Sequence, residues 1–308
     1  MAEKARCAVV GGANIDIGGF PLGRIAMQDS NPGRVTLSAG GVGRNIACSL
    51  ARLGVQTRLV APLGTDAFGD LVRSECERAG VDTGLCFTFP GEASSAYLFI
   101  ADANGDMQLA VNDMAICDRM TPEALSCRLD ALNAMDAVVL DANLPADTLR
   151  FLAENVRVPL LADAVSTAKA PRLLGALRHL WALKPNAIEA EALTGTPVHD
   201  ADSAARAARQ LVDMGAARVF ITLGENGACC ADGDGLVMLP GAPIRMVNAT
   251  GAGDAFTAAL AWGCVRGLSL RECGAAGLAA ASIAVESLET VSPEISEEAL
   301  LERMEKLL

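Results

Sequence analysis

An α/β fold built on a parallel sheet is the class this sequence predicts, and three observations carry that reading. Short apolar runs that read as buried strands alternate with stretches of helical period along most of the chain. The connections between successive runs are long enough to hold a right-handed crossover helix. The 308 residues, 51% of them hydrophobic, suffice for a large core with a small appendage and need no second domain, so residues 1–308 are expected to form one domain.

The elements follow in order. Strands are predicted at residues 7–10, 57–61, 137–141, 159–163, 179–183 and 218–223. Helices with one apolar face are predicted at 68–79, 146–154, 187–193 and 203–214, and two further helices follow glycine pairs at 44–53 and 255–265. Two insertions, 15–39 and 86–112, interrupt the alternation with period-2 patterns of their own. In the second, residues 95–101 and 107–111 flank Asn104-Gly105, the form of a hairpin with an Asn-Gly turn.

Composition excludes several function classes. A net charge of −12 leaves no basic stripe for a nucleic-acid polymer, although a free nucleoside stays allowed. No apolar run reaches the roughly 20 residues of a membrane span, and Met1 to Arg6 lacks a signal core, so a cytoplasmic protein is expected. The ten cysteines are scattered, without a Cys-x-x-Cys pair, which favours buried reduced thiols, Cys229-Cys230 in a strand among them. His179 and His199 fit no metal or triad spacing.

The chemistry concentrates at Asn248-Ala249-Thr250-Gly251-Ala252-Gly253-Asp254, which runs into a small, apolar helix. Two glycines let backbone N–H groups converge at a helix start, where the dipole favours an anion such as a transferring phosphoryl group. Asp254 stands at the rim of that hole, and its carboxylate, expected to be ionised at neutral pH, can accept the proton of an attacking hydroxyl. A plain helix cap is the competing reading of the glycines. The lysines are Lys4, Lys169, Lys184 and Lys306, and none follows a glycine, so a Walker A loop is excluded. Phosphoryl transfer to an alcohol is the predicted reaction.

Thr250-Gly251-Ala252-Gly253-Asp254 resembles the second signature of the ribokinase-like (PfkB) sugar and nucleoside kinases, and Gly40-Gly41-Val42-Gly43-Arg44-Asn45 resembles the first. Three further segments fall in the order that family shows: Asn14-Ile15-Asp16 after a strand, Asn186-Ala187-Ile188-Glu189, and Thr222-Leu223-Gly224-Glu225-Asn226-Gly227. The resemblance covers nearly the whole chain. It implies a three-layer α/β/α domain with a mainly parallel sheet, and a small β-sheet lid made by the two insertions.

The resemblance also implies roles. Asp254 is the base, and the Gly251, Ala252 and Gly253 amides stabilise the moving phosphoryl group. Asn14, Asp16, Gly40, Gly41 and Asn45 hold the substrate sugar; loop capping is the alternative for Asn14 and Asp16. Asn143 matches a position where ribokinases carry a sugar-binding glutamate, and Asp141 is a substrate residue or a loop cap. Lys184, Asn186, Thr222, Gly224, Gly227 and Thr250 face ATP, and Glu189 approaches magnesium through water, a helix-start role being its alternative. Ribokinases carry lysine where Val42 stands, so Arg44 is the candidate counter-charge for the phosphates. The 248–250 region allows potassium as an activator.

Within the family, Asp29-Ser30-Asn31-Pro32-Gly33, Gly40 to Ala47, Pro90-Gly91-Glu92, Ser94 to Leu98 and Asn112-Asp113-Met114 are most similar to the pseudouridine kinases. That similarity implies Ser30 and Asn112 on the base side, ATP and pseudouridine as substrates, and, by analogy of the lid, a homodimer. Another kinase of the family, for ribose, a 2-keto-3-deoxy sugar acid or a different nucleoside, is the alternative. A non-catalytic sugar sensor using the same pocket is a further one.

Overall fold

The computed structural model describes residues 4–102, 106–241 and 246–308; Asn104-Gly105 lies outside them. Among the described residues nine strands form one large sheet, in the spatial order Leu236–Leu239, Ala228–Asp232, Arg218–Thr222, Ala182–Lys184, Leu160–Asp163, Ala137–Asp141, Arg6–Val10, Gln56–Val60 and Val81–Asp82. Ala228–Asp232 pairs antiparallel with both neighbours, and the other pairings are parallel.

The sheet is buried on both faces, as parallel sheets are. Along Arg6–Val10, Cys7 and Val9 enter the core shared with helices Val42–Arg52, Ala67–Arg78, Ala252–Cys264 and Leu270–Val285. Ala8 and Val10 enter the core shared with Ala146–Asn155, Ala187–Thr194 and Ala201–Asp213. Several of these helices start where polar caps satisfy their first N–H groups: Asp66 accepts from Gly69 N, and Asn186 and Asp200 each form a reciprocal capping box.

Chain order reverses between Arg6–Val10 and the adjacent Ala137–Asp141, because the chain first builds outward to Val81–Asp82 and then returns to build the other way. Loops on either side of such a switch point diverge and leave a crevice at the carboxyl ends of the strands. Gly11, Asp141, Asp163, Lys184 and Thr222 all stand at or just beyond those ends.

The insertions form a second sheet of four strands, ordered Gly33–Gly40, Asn14–Pro21, Ala96–Ala101 and Met107–Asp113. Its central pairing is parallel and the outer two are antiparallel. Part of the second insertion goes elsewhere, since Phe87–Thr88 pairs with Pro62–Leu63. The strand expected at 179–183 also differs. Leu177–His179 is a 3-10 turn, and the strand is Ala182–Lys184, which brings Lys184 into the sheet. All ten cysteines carry free thiols; Cys229 and Cys230 are buried, whereas Cys127 is exposed. No helix among the described residues is long and apolar enough to cross a membrane.

The helix that carries Asp254 is fixed by close packing. Phe256, two residues on, is buried with its ring 6.4 Å from that of Phe220, and Gly277 of the neighbouring helix lies bare against it. A methyl group on Gly277 would stand 2.5 Å from Phe256 Cε1. Gly277→Ala is therefore expected to destabilise the fold by about 1–3 kcal/mol through overpacking, against about 1 kcal/mol of helix propensity gained. Urea unfolding checks this, with a lower midpoint as the expected result.

Candidate active site

The two glycine-rich signatures meet across the fold. Gly251 caps the helix Ala252–Cys264 in the left-handed conformation, φ 85°, and a side chain there would run into the Thr290 carbonyl. Asp254 falls in the first turn, beside the N–H groups that a helix start leaves without intrahelical partners. Asn45, on the helix Val42–Arg52, donates its Nδ2 to Asp254 Oδ2 at 2.8 Å. Arg44 Nη1 in turn donates to Asn45 Oδ1 at 3.2 Å and to the Ala39 carbonyl at 3.1 Å. The amide of Asn45 is thus oriented from behind, its NH2 group toward the carboxylate.

This arrangement revises one sequence expectation. Arg44 is buried and its guanidinium holds Asn45, so it is not a free counter-charge for phosphates. The cation next to the helix start is Lys184, whose Nζ donates to Asp163 Oδ2 at 2.9 Å and lies 3.5 Å from the Gly253 carbonyl. Burial opposes the charge on Lys184, but Asp163 and Glu189 outweigh it and raise the pKa above the ordinary lysine range.

Asp163 was not singled out from the sequence, yet it ties the site together. Its Oδ2 accepts from Lys184 and, at 2.6 Å, from Thr257 Oγ1; its Oδ1 accepts from Val165 N at 2.9 Å. The available signal was its place as the last residue of a buried strand, which it shares with Asp141.

The same carboxylates set the state of Asp254. Burial first, then Asp163 and Asp141, push its pKa up to about 7, with Asn45 and Lys184 acting in the opposite sense. The expectation of a carboxylate already ionised at neutral pH is corrected accordingly. The helix terminus is outweighed by desolvation and two neighbouring negative charges, and Asp254 is poised between its acid and base forms.

At the start of the small sheet, Asn14 Nδ2 donates to Asp16 Oδ1 at 2.7 Å. Burial raises the Asp16 pKa despite Asn14 and Arg44. Gly40 stands opposite Asn14, and a side chain on it would overlap the Asp16 carboxylate. Gly41 is the cap of the following helix. Register puts Ser38, Asp16, Tyr97 and Asn112 in one row on one face of the small sheet. Ser30 is not brought to this row. It lies exposed in the loop between the strands Asn14–Pro21 and Gly33–Gly40, outside the paired rows.

Asp141 serves as a loop cap. Its Oδ2 accepts from Gly12 N at 2.8 Å and its Oδ1 from Asn143 N at 2.9 Å. Asn143 is buried beside it and accepts from Lys169 Nζ at 2.6 Å.

A cavity of about 630 Å³ adjoins the strand ends on the other side, with Asn186, Thr222, Gly224, Asn226, His199 and Met238 in its wall. Gly224 is open there, while Gly227 packs against the Leu239 backbone and stands away from the wall. Glu189 is buried; its Oε2 accepts from Asn186 N at 2.8 Å, and burial raises its pKa. Thr250 is exposed and donates its N–H to Asn248 Oδ1 at 2.9 Å.

The sequence pattern of the pfkB family carbohydrate kinases matches residues 4–297. Pseudouridine kinase of Escherichia coli K12 is 33% identical over 299 residues, covering 96% of this chain and 95% of that protein. An uncharacterized sugar kinase, YeiI, of the same organism is 34% identical over 300 residues, 96% of this chain and 82% of its own length. Among solved structures, a carbohydrate kinase from Agrobacterium tumefaciens superposes with a TM-score of 0.89 at 33% identity over 98% of both chains. Ribokinase of Arabidopsis thaliana, complexed with ribose and ATP, gives 0.90 at 25% identity over 98% of this chain and 99% of that one. Family pattern, relatives and fold agree: the chain belongs to the pfkB family of carbohydrate kinases and is a phosphotransferase with an alcohol acceptor.

Proposed function

We propose that the enzyme transfers the γ-phosphoryl group of ATP to the 5'-hydroxyl of pseudouridine, in the cytoplasm, giving pseudouridine 5'-phosphate and ADP. The observation that carries this reading is the pairing of a carboxylate poised near neutrality, Asp254, with the N–H groups that its own helix start leaves without intrahelical partners. Choice of the nucleoside rests on the 33% identity to the pseudouridine kinase over 96% of the chain. The intact base argues against a sensor, which has no use for a proton acceptor.

In this mechanism Asn14 and Asp16 hold the ribose hydroxyls and Gly40 lets the carboxylate approach them. The small sheet acts as a lid on residues 15–39 and 86–112 of a single domain. Asp254 takes the proton of the 5'-hydroxyl as that oxygen attacks. The Gly251, Ala252 and Gly253 amides face the charge that develops on the transferred group, an effect supplied by position and electrostatics rather than by covalent steps. ATP lies along Asn186, Thr222, Gly224 and Thr250. Glu189 suits a magnesium ion held through water, because a buried carboxylate with one oxygen engaged by Asn186 N keeps a second for such a contact. Magnesium there would neutralise charge on the phosphates of ATP. Lys184, paired with Asp163, adds fixed positive charge nearby, and potassium is a candidate activator at the 248–250 loop.

A homodimer accords with the outer face of the lid. Leu37, Ile17, Leu98 and Val111 form one row there, and Val35, Gly19, Ile100 and Leu109 the next. Val35 is 70% exposed and Leu109 61%, an apolar surface that a second copy would cover.

A competing acceptor within the same family is the second reading, favoured by the equal similarity to the sugar kinase YeiI. ADP release measured side by side decides: pseudouridine is expected to give a larger kcat/KM than uridine, cytidine, adenosine, ribose or 2-keto-3-deoxygluconate. A sugar or sugar acid as the best substrate would overturn the nucleoside while leaving the kinase intact.

Asp254→Asn is expected to lower kcat roughly a hundred- to ten-thousand-fold with nucleoside affinity retained, since it keeps the shape and removes the proton acceptor. Isothermal titration with pseudouridine, beside steady-state rates, checks both halves; an unchanged kcat removes Asp254 from its role.

The same substitution carries a stability signature. A folded-state pKa of about 7 for Asp254 lies above the unfolded value, so the unfolded chain loses this proton first and stability falls as pH rises toward 7. Asparagine has no proton to lose. The variant is therefore expected to melt above the wild type at about pH 8, with a gap that narrows toward about pH 5, read by calorimetry across that window.

A further inference from the structure

Lys169 is a half-buried cation that the mechanism above does not use. Its Nζ donates to Asn143 Oδ1 at 2.6 Å, just beyond the end of strand Ala137–Asp141 at the switch point. That bond fixes which way the Asn143 amide points. The oxygen is taken by Lys169, so the NH2 group faces the Asp141 carboxylate, which accepts one of its N–H bonds, and the bare Cα of Gly12, where an added methyl would stand 2.8 Å from Nδ2. Met114 Cε closes on the same point at 3.2 Å, bringing the chain that leaves the lid strand Met107–Asp113 to this wall.

A purely structural duty for Lys169 is already filled by another residue. Arg172 Nη1 lies within hydrogen-bond distance of the carbonyls of Ala142, Asn143 and Leu144, at 3.3, 3.0 and 3.3 Å, and so holds the loop. The segment that delivers Lys169 is strained. Val165 is β-branched yet adopts φ 65°, with its N–H tied to Asp163, and the chain turns back so that Lys169 N donates to Ser166 O at 3.0 Å. Such outliers persist where the surroundings over-determine them and cluster at binding sites.

The two walls of the crevice differ in hydrogen-bonding character. Around Asn14 and Asp16 a carboxylate offers acceptors, which suits hydroxyl groups. Around Asn143 and Lys169 the groups left over are donors, the amide N–H that Asp141 does not take and the remaining ammonium N–H bonds, because an ammonium has three donors and no acceptor. We propose that Lys169 and the Asn143 amide form the subsite for the heterocycle of the nucleoside, and that they select a ring whose exocyclic groups are carbonyls. A pyrimidine dione presents two carbonyl oxygens to these donors. Cytosine presents an amino group in place of one, so a donor would face a donor, a mismatch that costs more than shape alone. Free ribose gains nothing from the subsite.

This inference rests on the nucleoside reading, and one experiment separates the two. Wild type, Lys169→Met, Lys169→Gln and Lys169→Arg are assayed with pseudouridine and with ribose, and folding of each is checked by circular dichroism. In the wild type, pseudouridine is expected to be preferred; a preference for ribose or for a sugar acid overturns the nucleoside reading and this subsite together. In Lys169→Met the ratio of kcat/KM for pseudouridine over ribose is expected to fall at least tenfold, the loss residing in the KM for pseudouridine and not in kcat. Lys169→Gln, which keeps a donor, and Lys169→Arg, which keeps the charge, should recover part of the ratio. A ratio within twofold of the wild type in folded Met and Gln variants overturns the subsite and leaves the nucleoside reading standing. A loss confined to kcat, equal for both acceptors, also overturns it, because that is the mark of a positioning role toward Asp163.

Discussion

One hydrogen bond, from Asn45 to Asp254, joins positions 209 residues apart, and the proposed catalytic geometry depends on it. It docks the helix that follows the first glycine-rich turn against the helix that begins with the second. Neither turn is a site by itself. Packing of Val42–Arg52 beside Ala252–Cys264 in one core puts the amide within reach, and Arg44 sets which end of that amide faces the carboxylate. The two glycine-rich helix starts are therefore held in register through side chains rather than through the connecting chain.

Around this bond the site concentrates negative charge that the fold would otherwise avoid. Asp254, Asp163, Asp141 and Glu189 stand close enough for their charges to act on one another, and Lys184 is the buried cation set among them. A buried ion pair is weak evidence for stability, because desolvation offsets much of the attraction. Its value lies in the proposed chemistry. Lys184 satisfies Asp163, Thr257 adds a second donor to the same oxygen, and burial, together with the remaining charge of Asp163 and Asp141, raises the pKa of Asp254. An aspartate so placed can receive a proton at neutral pH and release it after transfer, which a fully ionised one does less readily.

The fold was legible in the sequence because parallel strands buried on both faces leave uninterrupted apolar runs such as Ala137–Asp141, and the helices between them keep a helical period. The strand expected at 179–183 slipped because its apolar residues continue through a 3-10 turn, and periodicity cannot tell the two apart over so few residues. Residues whose role is local were legible too, as with the glycine cap at Gly251 and the capping box of Asn186 and Glu189. What stayed hidden depends on partners distant in sequence. Asp163 matters through Lys184 and Thr257; Lys169 matters through Asn143; Arg44 carries the right charge but faces inward. Ser30 sits in the loop between two lid strands, whose course the loop sequence does not encode. The proton affinity of Asp254 is a sum over the whole cluster, so a helix start read alone gave the wrong sign.

The most direct measurement is the pH dependence of kcat/KM, which reports groups of the free enzyme, for the wild type against Asn45→Ala. Above its pKa the base is available, so the rate is expected to rise with pH through an apparent value near that of Asp254, about 7. Asn45 lowers that pKa by its hydrogen bond, and its removal should displace the rising limb toward alkaline pH as well as reduce the plateau. A limb that stays where it was in Asn45→Ala, or a wild-type profile flat from about pH 5 to about pH 9, would contradict a base set by this bond and this cluster of charges.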